Sequence, residues 1–214
     1  MSIAVKICGL TTEKALTAAV DAGADYVGFV FFRRSPRYVD MALAASLVLS
    51  VPRHVTPVGL FVDPTDAELE TALKAVPLSM LQLHGAETPA RVGEIAKKFG
   101  IPIMKAVGVS SPADVVGAAV YDAASWLLFD AKPPKDATRP GGNAKAFDWA
   151  LMQGYLGPKP WMLAGGLTAG NVQDAITASK AKAVDVSSGV ESRPGVKSAA
   201  KIRAFIKAVR ALGV

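Results

Sequence analysis

Ile3-Ala4-Val5-Lys6-Ile7-Cys8-Gly9-Leu10-Thr11-Thr12-Glu13 opens the chain with an apolar run, a glycine and a helix start. The run from Ile3 to Ile7 reads as a buried strand, and Thr11-Thr12-Glu13 carries the cap residues that begin a helix. The only cysteine, Cys8, falls where the strand gives way to the turn. In a parallel α/β fold the residue at a strand's carboxyl end faces the ligand site. A thiol there can act as nucleophile, general base or metal ligand, and its plainer reading is a small buried hydrophobe.

The same unit recurs along the chain. Apolar runs begin near Ile3, Asp25, Thr56, Ser79, Pro102, Ser125, Trp161 and Ala183, about 23 residues apart with two longer gaps. Runs such as Tyr26–Phe32, Val58–Val62 and Trp126–Phe129 suit strands buried on both faces. Amphipathic, alanine-rich stretches lie between them: Glu13–Ala22, Met41–Ser50, Ala67–Ala75 and Pro89–Phe99. Cap signals recur at Asp63-Pro64-Thr65, Glu87-Thr88-Pro89 and Ser110-Ser111-Pro112. Eight strand–helix units are expected, the last helix running from about Lys197 to Leu212. No G-x-G-x-x-G follows the first strand, so a dinucleotide-binding sheet is disfavoured. The pattern predicts an α/β fold of one domain, residues 1–214, built as a single (β/α)8 TIM barrel. The polar stretch Ala131–Asn143 interrupts the sixth unit and reads either as a mobile flap or as a surface insertion.

Composition narrows the function. With 24 Lys and Arg against 18 Asp and Glu the chain carries a net charge of +6, yet the basic residues are scattered. Arg33-Arg34-Ser35-Pro36-Arg37 is the densest cluster, and aromatics are not interleaved with it as a nucleic-acid platform needs. One cysteine permits no internal disulfide and fits a reducing, cytoplasmic setting. No apolar run reaches the length of a membrane span, and the amino terminus lacks a signal-peptide pattern. Neither nucleic acid nor membrane is expected as a partner.

Residues able to do chemistry gather at strand ends. Cys8 closes strand one, Arg37 follows strand two, Gln82-Leu83-His84-Gly85 closes strand four and Asp130 closes strand six. Gly165-Gly166 ends strand seven, and Ser187-Ser188-Gly189 ends strand eight after Asp185. Barrel closure brings these positions to one rim. Alternation puts Lys6 in the layer below Cys8, and Asp185 shares its parity, so Lys6 and Asp185 should pair between neighbouring strands. Such a cation would lower the Cys8 pKa toward neutrality; its other reading is a structural ion pair. Gly165, Gly166, Ser188 and Gly189 present free backbone N–H groups in the two loops where barrels hold phosphate. Asp130 follows three apolar residues and suits a general acid, or else a cap or a salt bridge to Lys132. His84 is a candidate substrate contact or a packed, hydrogen-bonded side chain. With His54 on the opposite end, no metal site is expected.

The strings KICGLT, VGFVFFRRSPRYV, VGLFV, LQLHG, KAVGV, LLFDAKPP, FDW, LAGGLTAGNV and DVSSGVESRPGVK occur in this order. Together they resemble the phosphoribosylanthranilate isomerase family of tryptophan biosynthesis, from about residue 3 to 205. The resemblance implies a cofactor-free Amadori rearrangement of a small phosphoribosyl substrate, N-(5-phosphoribosyl)anthranilate. It implies Cys8 as general base and Asp130 as general acid. Arg37 would meet the anthranilate part, Asp185 would support the substrate near its amino group, and the GG and SSG loops would hold phosphate. The chain is expected as a monomer, with a homodimer as the alternative.

One string departs from the family: Gly141-Gly142-Asn143-Ala144-Lys145-Ala146-Phe147-Asp148-Trp149 has Ala144 where a third glycine is usual. If that position needs a positive φ, alanine costs about 1 kcal/mol and alters the loop. Two other readings compete. A histidine-pathway isomerase performs the same rearrangement but uses paired aspartates, which Cys8 argues against. A non-catalytic phosphate-binding or thiol-sensing barrel would leave Asp130 dispensable.

Overall fold

Alternate residues on each strand enter two different apolar layers. Val58, Met80, Met104, Ala106, Leu128, Met162, Ala164 and Ala183 fill the inside of a barrel. Val5, Ile7, Val27, Phe29, Leu81, Leu83, Ile103, Leu127, Phe129, Val184 and Val186, of the opposite parity, form the layer beneath the helices. Strands buried on both faces therefore read as unbroken apolar runs. The computed structural model describes residues 2–132 and 146–212. Its parallel strands are β1 (Ala4–Cys8), β2 (Tyr26–Val30), β3 (Thr56–Phe61), β4 (Met80–Leu83), β5 (Ile103–Val109), β6 (Trp126–Ala131), β7 (Trp161–Leu163) and β8 (Ala183–Val186). They pair in chain order, and β8 returns to β1 to close the barrel. The expected (β/α)8 TIM-barrel class is the one observed.

The helices α1 (Glu13–Asp21), α2 (Met41–Leu49), α3 (Asp66–Ala75) and α4 (Pro89–Phe99) lie where the periodicity places them. Thr12, Thr65 and Thr88 each accept a backbone N–H from the first turn, so the cap signals act as expected. α5 (Pro112–Gly117) is short, followed by α6 (Val172–Ser179) and α7 (Ala199–Arg210). Two features differ from the sequence expectation. Among the described residues the sixth crossover contains a 3-10 helix, Trp149–Gly154, in place of an α-helix. Gly154, Gly157, Pro158 and Pro160 interrupt the stretch before β7, and each disfavours continued helix. The last helix begins after a small hairpin of β9 (Glu191–Arg193) and β10 (Val196–Lys197), so Lys197 lies outside it. Beyond Ala131 and Lys132, the flap expected at Ala131–Asn143 lies outside the described residues, as does Ala144. No described helix is long and apolar enough to cross a membrane.

α5 carries a pH-dependent cap. Asp114 Oδ2 accepts the backbone N–H groups of Ser110 and Ser111 at 2.9 Å each and both of their hydroxyls. Burial raises its pKa, but these bonds and Lys132 outweigh it and hold the carboxyl at about 2. Asp114→Ala is expected to cost about 1 kcal/mol at neutral pH. Because the folded pKa is depressed, the cap's contribution is complete above the ordinary carboxylate range. It is lost as pH falls toward about 2, so wild-type and variant denaturation midpoints should converge there.

Candidate active site

Cys8 is the last residue of β1 and points into the barrel mouth. Its Cα partner on β2 is Gly28, where an added Cβ would lie 2.9 Å from the Cys8 Sγ. The missing side chain on β2 is what leaves the thiol its space. One layer below, Lys6 Nζ donates to Asp185 Oδ1 at 2.7 Å, in register across β1 and β8. Lys6 is fully buried, and removing one member of such a pair costs about 3–5 kcal/mol, so the cation is firmly held. Burial opposes its charge, yet Asp185 and the nearby thiol keep Lys6 above the ordinary lysine value. The strand parity read from the sequence predicted this pair.

The thiol does not respond as the sequence suggested. Burial pushes the Cys8 pKa up, and the downward pull of Lys6 and Lys197 does not overcome it, with Asp185 adding to the rise. The resting group is a thiol, with two cations ready to stabilise a thiolate. The second cation was missed: Lys197 Nζ, on β10, donates to Glu191 Oε1 at 2.8 Å and to the Ser187 carbonyl at 2.9 Å. Ser187 Oγ donates in turn to the Cys8 carbonyl at 3.0 Å.

Arg37 is buried and bound on two atoms by Glu191, Nε to Oε1 at 2.6 Å and Nη2 to Oε2 at 3.0 Å. Gly9, at φ +80, lets the Arg37 stem lie against it, since a Cβ there would approach Arg37 Cδ to 2.7 Å. Arg37 and Lys197 hold the Glu191 carboxyl below its ordinary value against the opposing effect of burial. Around Cys8 the described residues thus bury three cations, Lys6, Arg37 and Lys197, against two carboxylates, Asp185 and Glu191. The surplus positive charge suits an anionic ligand.

Asp130 faces the interior from the end of β6. Its Oδ1 accepts the Ala131 N–H at 2.8 Å, and its Oδ2 lies 3.3 Å from His84 Nε2. Lys132, the sequence's alternative partner for Asp130, pairs instead with Asp114 at 3.4 Å. His84 is joined on its other nitrogen to Gln82 Nε2 at 2.8 Å. The turn that carries His84 is braced from the helix side by a pair the sequence reading overlooked. Lys105 Nζ donates to Glu87 Oε2 and the Gly85 carbonyl, both at 2.8 Å, while Glu87 Oε1 accepts the Asp63 N–H at 2.9 Å. A lone lysine in the apolar run Ile103–Val107 was the signal that could have found it.

β7 and β8 lie between the strands that carry Asp130 and Cys8. Gly165 and Gly166, at φ +86 and +65, adopt left-handed backbone that side chains disfavour. Ser188 begins a 3-10 helix, and a Cβ on Gly189 would run into the Leu167 carbonyl, so the two loops touch. His54 lies exposed in the turn before β3, away from this rim.

A family model described as N-(5'phosphoribosyl)anthranilate (PRA) isomerase matches residues 5–208. The chain is 58% identical over 207 residues to the N-(5'-phosphoribosyl)anthranilate isomerase of Paracoccus denitrificans, spanning 96% of each. Among solved structures it is similar to monomers made from the dimeric enzyme of Thermotoga maritima, with TM-score 0.83, 36% identity and coverage of 98% and 99%. It is also similar to a phosphoribosyl anthranilate isomerase in complex with reduced 1-(o-carboxyphenylamino)-1-deoxyribulose 5-phosphate. There the TM-score is 0.83 with 35% identity, and coverage is 99% and 100%. The chain therefore belongs to the N-(5'-phosphoribosyl)anthranilate isomerase family, the isomerases of tryptophan biosynthesis.

Proposed function

We propose that this chain converts N-(5'-phosphoribosyl)anthranilate to 1-(2-carboxyphenylamino)-1-deoxyribulose 5-phosphate, with Asp130 as general acid and Cys8 as general base. The observation that carries the reading is the order of strands around the barrel. The acid strand β6 and the base strand β1 flank the two glycine-bearing strands, so a phosphate seated there sets the sugar between acid and base. Protonated Asp130 donates to the ribose ring oxygen as the C1′–O bond breaks, leaving an imine with its nitrogen protonated. That cation acidifies the C2′ hydrogen, and Cys8 removes it after its own resting proton has passed to solvent and Lys6 and Lys197 have stabilised the thiolate. The resulting enolamine ketonises to product. Hydrogen is only relocated within one molecule, so acid and base suffice and no cofactor or metal is called upon.

In this reading Gly165, Gly166, Ser188 and Gly189 hold the phosphate, Asp185 steadies the substrate near its nitrogen, and His84 positions Asp130. Arg37 directs the guanidinium nitrogen outside its Glu191 pair, Nη1, at the anthranilate carboxylate. The surplus positive charge beside Cys8 supports an anionic substrate at this end. We further take residues 1–214 as one cytoplasmic domain acting as a monomer, a homodimer being the alternative. Purified protein should quench the fluorescence of the anthranilate substrate with turnover, and the gene should rescue a tryptophan auxotroph blocked at this step. Phosphate binding without turnover would instead favour a non-catalytic barrel.

A further inference from the structure

Gln82 is completely buried inside the barrel on β4, and its amide bonds to His84 Nδ1, whose opposite nitrogen faces Asp130. A neutral imidazole carries its proton on one nitrogen only, so its two partners jointly decide which. His84 Nε2 lies 3.3 Å from Asp130 Oδ2; a carboxylate can only accept, so drawing this contact into a hydrogen bond needs the proton on Nε2. Nδ1 is then an acceptor and needs a donor. Gln82 presents Nε2 to it, and among the described residues the Gln82 Oε1 has no hydrogen-bond partner. A flipped amide would set Oε1 against the Nδ1 lone pair and leave that nitrogen without a donor.

We propose that Gln82 is a positioning residue: by donating to His84 Nδ1 it selects the Nε2–H tautomer, so that the chain Gln82–His84–Asp130 donates in one direction, toward the substrate. This rests on Asp130 being the acid, as proposed above. In this direction His84 has no lone pair on Nε2 with which to take the Asp130 proton. Asp130 Oδ2 accepts from His84 while its own O–H points to the sugar ring oxygen. After transfer the carboxylate that remains still accepts the same N–H, with no change in the chain. In the opposite tautomer Nε2 would accept the Oδ2 proton. A wrong tautomer beside a reacting group is costly even when geometry is kept.

The test uses nitrogen-15 histidine NMR on the free protein, alongside steady-state kinetics. The chain has two histidines, so a His54→Gln protein assigns the signals. Wild-type His84 should show the Nε2–H pattern. Gln82→Glu, which in its ionised form can only accept, should then move the proton to Nδ1 and lower kcat about 10- to 100-fold, with KM changed by no more than about threefold. Gln82→Met, which conserves shape and offers no hydrogen bond, should give mixed tautomers and an intermediate kcat, and serves if the glutamate variant does not fold. An Nδ1–H pattern in the wild type, an unmoved tautomer in both variants, or a moved tautomer with wild-type kcat would each overturn the proposal. If instead the tautomers behave as expected and Asp130→Asn keeps its kcat, Asp130 is not the acid; the reading above then fails, and the functional role of Gln82 with it.

Discussion

Cys8→Ala is expected to lower kcat by about 10²- to 10⁴-fold while KM changes little, because the thiol is assigned to proton removal and not to holding the substrate. The thiol is buried beside Gly28 with Lys6 beneath it, so its loss removes one atom from a wall that otherwise stays in place. Thermal unfolding should confirm that the variant is folded. A kcat within a few-fold of wild type would end the role of Cys8 as base. The same variant supplies the blank for a titration. Burial holds the thiol above its ordinary pKa, so in the free protein the ultraviolet absorbance of the thiolate should appear only at pH above the ordinary thiol range. With one cysteine in the chain, the signal has one source. Thiolate absorbance already present at neutral pH would mean that the cations at Lys6 and Lys197 outweigh burial.

Asp130→Asn is the second large effect. The amide keeps the shape of the side chain and an oxygen for the Ala131 N–H, so binding should survive. What it lacks is a proton to give to the ring oxygen. A fall in kcat of about 10²- to 10⁴-fold with near-constant KM is expected. Gly165 leaves the side chain its room, since a Cβ there would lie 3.2 Å from the Asp130 carboxyl. If the asparagine protein turned over at a normal rate, ring opening would have to draw its proton from elsewhere. A rise in KM alone would recast Asp130 as a binding residue.

The two variants test different half-reactions, and the geometry explains why their effects should not substitute for one another. Cys8 and Asp130 lie on β1 and β6, separated by the two strands that carry the glycine loops. A group on one strand cannot take over the task of the other without the sugar turning over in the site. In the proposed reading, a phosphate held by those loops prevents that.

Much of this was legible along the chain. Three helices open at the threonine caps that the sequence displays, because capping is a local matter, decided by residues three or four apart. The Lys6–Asp185 pair was legible too, because parity on two strands known to be neighbours leaves little freedom. The sixth crossover was less so: glycines and prolines announce a break without saying what replaces the helix.

The sequence by itself therefore determined the repeat, the strand ends and the side chains gathered there. Periodicity reports which side of a residue is apolar, and strand ends in a barrel share a rim. Only the tertiary structure decided who meets whom within that rim. Arg37 meets Glu191 across 154 positions, and Lys197 leaves the expected helix to lie close enough to Cys8 to act on its charge. It also decided the sign at Cys8. A neighbouring cation can be inferred from parity, but its effect on the thiol depends on how completely water is excluded, and burial is a property of the closed barrel.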